Sequence, residues 1–224
     1  MKRPKPSRAA KPPATIKSAA HVRRAGKVLA GLDPKLARCL DKPITFKLES
    51  DRPPYHTLFH AIVHQQLSPK AASTILGRVK TLYPKSKIPS PADLLKTPDQ
   101  TLRNAGLSRN KIIALKDLAA KTIDGTVPTL KKLHTLTDDE IILRLTSIYG
   151  IGQWTVEMLL IFHLGRSDVF PIDDYALRRS IAQVYGLPEV PTPKQIRSLG
   201  DAWRPHRTAA SLYLWNYIDP EAWK

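Results

Sequence analysis

A hydroxyl residue followed at once by proline occurs at four points in this chain: Ser68-Pro69, Ser90-Pro91, Thr97-Pro98 and Thr192-Pro193. Each pair puts a side-chain acceptor where the first helical N–H groups need one, with proline's fixed φ at the first helical position. A fifth start, Thr137-Asp138-Asp139-Glu140, has the reciprocal spacing of a capping box. Behind these starts the apolar residues recur at three and four: Leu58 and Ile62 in one segment, Ile112, Leu115, Leu118 and Ala119 in another. Segments near 55–66, 69–83, 109–123, 138–147, 152–164, 174–186 and 205–217 fit this template. Pro43 to Leu48 is the one candidate strand, and it is short. The pattern predicts an all-α chain with short connections.

Several classes are closed to such a chain. Its longest unbroken apolar run, Met158 to Phe162, falls far short of the ~18 residues a membrane span requires. No apolar stretch follows the basic N-terminus, so no secretory signal is visible. Cys39 is the only cysteine, which excludes an internal disulfide framework, a multi-cysteine zinc site and an iron–sulfur cluster. The seven histidines show no metal-ligand spacing and read as solvated or packed. A formal charge of +17 on 224 residues points to a polyanionic partner. Residues 1–27 hold nine Lys/Arg and no acid, leaving +8 for the rest. With Pro4, Pro6, Pro12 and Pro13 among them, 1–27 read as a basic flexible arm ahead of a helical core at 28–224. Such an arm fits a non-specific hold on phosphates, a targeting segment or a solubility tail.

The most specific stretch is Leu145-Thr-Ser-Ile-Tyr-Gly150-Ile-Gly152-Gln-Trp154-Thr155. One helix ends near Ile148, two glycines flank an apolar residue, and a second helix begins at once. Gly150 and Gly152 can take positive φ and admit a close approach, and the N–H groups opening the next helix suit a phosphate. An ordinary helix–helix turn would carry the same bare Gly-x-Gly; the flanking helices and the net charge favour the phosphate reading. About twenty residues on comes Val169-Phe-Pro171-Ile-Asp173-Asp174-Tyr175. Upstream lies Ala61-Ile-Val-His-Gln-Gln-Leu-Ser68, and downstream Trp203-Arg-Pro-His-Arg207 through Leu212-Tyr-Leu-Trp215.

Taken in order, these four segments resemble the helix-hairpin-helix DNA glycosylases, with the hairpin at about 145–164, and within them the DNA-3-methyladenine glycosylase II branch of alkylation repair. The resemblance covers about 43–217. It implies a two-lobed helical bundle with a cleft between lobes, the middle helices in one and the N- and C-terminal helices in the other. It also implies that an N-terminal β domain often found in bacterial members is absent or reduced. Bifunctional members carry a strand-cutting lysine at the position held here by Trp154, which cannot be a nucleophile. The resemblance therefore implies a monofunctional hydrolase that releases an alkylated purine such as 3-methyladenine or 7-methylguanine and leaves an abasic site.

Breaking an N-glycosidic bond builds positive charge on the sugar, which a fixed carboxylate stabilises. Asp174 is the catalytic candidate, with Asp173 as cap or water-side partner; on residues alone the pair is equally a helix cap. An N-alkylated purine already carries positive charge and leaves without a general acid. Trp154 and Trp215 match the family's pocket aromatics, and indole faces attract an electron-poor ring; a Trp on an apolar helix is otherwise core. Met158 lies one turn past Trp154, where the branch often has an aromatic. Gly150, Gly152, Gln153 and Thr155 are the hairpin's DNA-binding candidates. Extruding a base leaves a gap to fill, and Gln66 or Leu67 at a helix tip is the candidate wedge, against a polar turn followed by a core leucine. By resemblance, main-chain oxygens of Thr146, Ile148 and Ile151 hold a monovalent cation, and no other cofactor is required. The expected partner is damaged duplex DNA, met as a monomer, in a bacterial cytoplasm at the nucleoid or in a eukaryotic nucleus. The competing readings are a non-catalytic hairpin module and a glycosylase for another damaged or mismatched base.

Overall fold

The computed structural model describes residues 14–49, 51–84, 86 and 88–219. Among them thirteen α-helices account for the architecture, and no strand pairs into a sheet. In chain order they are α1 (Ala19–Leu32), α2 (Pro34–Leu40), α3 (Pro54–His64), α4 (Pro69–Leu82), α5 (Pro91–Lys96), α6 (Asp99–Asn104) and α7 (Arg109–Ile123). Then follow α8 (Leu130–Leu133), α9 (Asp138–Leu145), α10 (Gln153–Met158), α11 (Tyr175–Tyr185), α12 (Pro193–Ala202) and α13 (Arg207–Ile218). A π-helical run, Leu159–His163, continues α10 without a break. No described helix is long and apolar enough to cross a membrane.

The start signals act as local chemistry predicts. Ser68, Ser90 and Thr192 each accept an N–H three residues on, and Thr137 with Glu140 closes the full capping box. Thr97 is the exception. Pro98 occupies the cap position of α6, and the Thr97 hydroxyl turns back to Asp93 O at 2.8 Å and to the Tyr83 hydroxyl at 2.6 Å. It closes α5 instead of opening α6.

The C-terminal half of the expected arm is not an arm. Residues 1–13 lie outside the described part, but the chain from Ala14 onward is folded. Ile16 N–H donates to Gly165 O at 2.5 Å and Ser167 N–H to Ala14 O at 3.0 Å. Helix α1 buries Val22, Ala25 and Leu29, so Lys17, Arg23, Arg24 and Lys27 belong to the domain, not to an arm. The three-and-four spacing of those apolar residues outweighs the run of cations around them.

Two lobes result. Helices α3 to α10 pack around Phe59, Ile62, Leu115 and Leu118, while α1, α2, α11 and α13 pack on one another beside them. Within the second lobe the Ser180 hydroxyl of α11 donates to Leu214 O of α13 at 2.5 Å, and Val169 N–H donates to the Thr208 hydroxyl at 3.0 Å. The first ties α11 to α13, and the second fixes the loop before α11 against α13. The candidate strand at Pro43–Leu48 forms no strand; it links the lobes along one wall of the cleft.

Candidate active site

The hairpin joins α9 to α10. Gly150 has φ +77°, and a Cβ there would meet the Ala114 Cβ at 3.2 Å, so both conformation and space require glycine. Gly152 differs from expectation: its φ is −90°, and a Cβ built on it meets no atom within 4 Å. Its freedom serves nothing inside the protein and leaves open ground on the outer side. The turn is braced from α7, where Asp117 accepts Tyr149 N–H at 2.7 Å and Lys121 donates to both Asp117 and Ser147 O. Gln153 and Trp154 open α10, where N–H groups have no acceptor within the helix. Thr155 does not join them: its N–H donates to Gly152 O at 3.1 Å and its side chain is buried at the cleft.

Asp174 caps α11, accepting Leu177 N–H on Oδ1 at 2.6 Å. Its carboxylate also takes both indole donors: Trp154 Nε1–H on Oδ2 at 2.7 Å and Trp215 Nε1–H on Oδ1 at 3.0 Å. The cap and the catalytic candidate are thus the same residue, and Asp173 is exposed beside it without capping the helix. Trp154 remains 45% exposed and borders the cleft. Trp215 does not offer a face. It is 2% exposed and stacks on Phe162 at 6.1 Å, so its edge, not its π surface, reaches the site.

Beside this carboxylate a cleft of about 990 Å³ opens between the lobes. Met158, Phe162, Phe46, Lys47 and, from α3, His60 and His64 line it. The rim includes Gln65 and Gln66. Lys111 caps the end of α3, donating to Val63 O at 2.5 Å and Gln65 O at 2.9 Å. Gln65 Nε2–H reaches across to Gly150 O at 2.9 Å, tying that tip to the hairpin. Gln66 then takes φ +57°, a left-handed turn that holds a non-glycine residue outward, and Leu67 follows it, also exposed. Leu67 is therefore not a core leucine.

Comparison with known proteins decides the family. Residues 59–205 match the HhH-GPD superfamily of base excision DNA repair proteins. The chain belongs to that superfamily. Among curated HhH-GPD relatives, it is similar to DNA-3-methyladenine glycosylase 1 of Schizosaccharomyces pombe, 41% identical over 162 residues that span 72% of this chain and 71% of the relative. Solved structures are similar as well. A Schizosaccharomyces pombe 3-methyladenine DNA glycosylase in complex with abasic DNA has a TM-score of 0.75 at 37% identity, covering 86% of this chain and 95% of that one. A DNA-3-methyladenine glycosidase from Bacillus halodurans has a TM-score of 0.78 at 35% identity, covering 88% and 90%.

Within this HhH-GPD fold, several site residues escaped the sequence reading. Phe46 comes from the supposed strand, and Phe162 from the end of the apolar run that begins at Met158. His60 and His64 sit one turn apart on α3 with their rings stacked at 6.1 Å, a spacing visible in His60-Ala-Ile-Val-His64. Burial and the nearby Arg52 guanidinium push His60 down to about 4, so it is uncharged at neutral pH. Burial likewise pushes His163 down, where Thr57 approaches it at 3.4 Å. The last missed residue, Glu157, is a carboxyl within the apolar sequence from Val156 to Phe162, and it is 5% exposed.

Proposed function

We propose that this chain hydrolyses the N-glycosidic bond of N-alkylated purines in duplex DNA and leaves an abasic site. The observation that carries the reading is the Asp174 carboxylate, held by the indole N–H groups of Trp154 and Trp215 beside the cleft. Three donors fix both oxygens before any substrate arrives, so a charge that develops on the sugar meets a preorganised anion. The same carboxylate can orient or deprotonate the attacking water. The alkylated base leaves as a neutral molecule, so no general acid is needed. Trp154 stands where a lyase lysine would, which limits the reaction to hydrolysis. A purely binding module has no use for such a carboxylate set beside a cleft with one of its indoles left uncovered.

The duplex would be gripped at Gly152 to Trp154 through main-chain N–H groups. The displaced nucleotide would enter the cleft past Trp154 and Met158, and Gln66, with Leu67 behind it, would fill the gap left in the stack. The uncharged His60 adds no positive charge against a cationic base. The oxygens of Thr146, Ile148 and Ile151 offer neutral main-chain donors only, a set that suits a weakly held monovalent cation. The Ile148 oxygen also accepts Ile151 N–H at 3.1 Å, which leaves it one lone pair for an ion. Such an ion would add positive charge where the hairpin meets a phosphate. The reading has one chain acting alone on DNA, in a nucleoid or a nucleus according to its cell.

The test is to incubate duplex bearing N-methylated purines with wild type, Asp174→Asn and Asp173→Asn. Release of 3-methyladenine or 7-methylguanine by wild type and Asp173→Asn, with strong loss in Asp174→Asn, is expected. Duplex binding with no base released by wild type would overturn the reading.

A further inference from the structure

Glu157 is a buried carboxyl that none of the steps above uses. Gln153 Nε2–H donates to its Oε1 at 2.9 Å, one turn back along α10. Gln153 is the first residue of that helix, beside Gly152 and the N–H groups assigned to the phosphate. From the loop before α11, Asp173 and Asp174 act on Glu157 with their negative charges. From α9, packed on α10, the inward residues are apolar: Ile141 and Leu145. The π-helical run beyond it adds Leu160 and Ile161, also buried.

Three carboxyls therefore share one side of the hairpin, with unequal support. Asp174 takes three hydrogen bonds, and Asp173 is exposed to water. Among the described residues Glu157 takes one, from a neutral amide. When like charges crowd a buried space, the carboxyl with the fewest donors holds the proton. Burial, against the Gln153 hydrogen bond and with Asp173 and Asp174, pushes Glu157 up to about 7.

We propose that Glu157 is a positioning residue that holds Gln153 at the phosphate-gripping turn of the hairpin in either protonation state, and that the negative charge it gains on ionising loosens the hold on duplex DNA. An ionised Glu157 adds a third negative charge, beside those of Asp173 and Asp174, behind N–H groups that must meet a phosphate. By reciprocity, a bound phosphate raises the proton affinity of Glu157. The sign follows: affinity for DNA is higher below the Glu157 titration and falls as pH rises through it. This role rests on the duplex-binding part of the reading above and is independent of base release.

The experiment measures affinity for a duplex carrying a stable abasic-site analogue, by fluorescence anisotropy at fixed ionic strength, between about pH 6 and about pH 8.5. Each unit by which phosphate shifts the Glu157 titration is about tenfold in affinity. Wild type is expected to lose about tenfold across that range beyond any loss shown by Glu157→Gln, which stays neutral throughout. Glu157→Ala, which cannot hold Gln153, should bind more weakly at both ends. Parallel profiles for wild type and Glu157→Gln would overturn the proposal. Infrared spectroscopy of wild type supplies a readout that needs no folded variant. The protonated-carboxyl band should titrate away as pH rises, and added duplex should move that titration upward; no movement would also overturn the proposal. If wild type shows the linkage but releases no base, the glycosylase reading fails while the role of Glu157 stands.

Discussion

Asp33 and Asp174 cap two different helices, and each has an indole N–H on its carboxylate. Asp33 opens α2, accepting Lys35 and Leu36 N–H on Oδ1, with the Tyr185 hydroxyl and Trp203 Nε1–H at 3.0 Å on Oδ2. Asp174 opens α11 with Leu177 N–H and two indoles. Both carboxylates are therefore fully gripped, Asp33 by four donors and Asp174 by three, and hydrogen bonds alone mark neither as catalytic. What differs is the ring behind the donor. Trp203 is wholly buried and packs edge-on against Phe170 at 5.3 Å, whereas Trp154 is 45% exposed beside the cleft. A gripped aspartate is a structural unit in one lobe; the same unit, set beside a void with one indole left uncovered, becomes a candidate for catalysis.

Asp174→Asn should give the largest effect. The cap survives, since asparagine accepts Leu177 N–H as well as aspartate does, but the negative charge is lost. Base release under single-turnover conditions should fall by roughly 10²–10³, while the thermal midpoint moves little. A variant with near-normal release would erase the distinction between the two aspartates.

Asp33→Ala should do the reverse. It strands the Tyr185 hydroxyl and the Trp203 indole in a partly buried place, at a cost of about 1–3 kcal/mol in denaturant unfolding. Base release well below the unfolding midpoint should stay within a few-fold of wild type. Burial pushes the Asp33 carboxyl up, but hydrogen bonds from Tyr185, Leu36, Trp203 and Lys35 leave it below its ordinary value. A lowered folded value means that this stabilisation is complete above the ordinary carboxylate range and lost as pH falls through the lowered one. The gap between wild type and Asp33→Ala should therefore narrow in acid; a gap that widens would show that Asp33 acts otherwise.

How much of this was legible in sequence depended on how local the cause was. Caps, the hairpin and the helix starts answer to two or three neighbouring residues, so Ser68, Ser90, Thr137 and Thr192 could be placed from composition and spacing. Thr97 failed because its hydroxyl had a competing acceptor at Asp93 and a partner on Tyr83, and tertiary position decided between them. In residues 14–27 a run of cations masks the Val22, Ala25, Leu29 stripe, and that stripe decides the fold. In the site, Asp174 and Trp154 were visible through the ordered segments. That both indoles would turn their edges to one carboxylate was not, since it depends on α11 and α13 meeting across forty residues. Phe46 was hidden for the same reason: a residue outside every helix pattern reaches the cleft only through the packing of the two lobes.

The hairpin glycines extend the comparison to conformation and surface. Gly150→Ala forces a side chain into positive φ and against Ala114, and should cost about 1–2 kcal/mol of stability. Gly152→Ala meets nothing inside the protein, so its stability should change by less than about 0.5 kcal/mol. Its added methyl faces the ground assigned to DNA, and affinity for duplex should drop severalfold. Equal loss of stability in both variants, by thermal unfolding, would mean that Gly152 is structural after all.

The finest separation concerns the exposed indole itself. Trp154→Phe keeps a flat apolar face at the cleft but removes the N–H that holds Asp174 Oδ2. One lost donor to a charged acceptor at a half-exposed position is worth about 1 kcal/mol, so base release should fall by about fivefold, with stability nearly unchanged. Trp154→Ala removes the face as well and should fall further, by the ~0.5–2 kcal/mol of a cation–π contact with an alkylated base. If Phe matches wild type, the indole N–H does not orient the carboxylate. If Phe is as poor as Ala, the face contributes nothing, and Trp154 resembles Trp203 in every respect but its exposure.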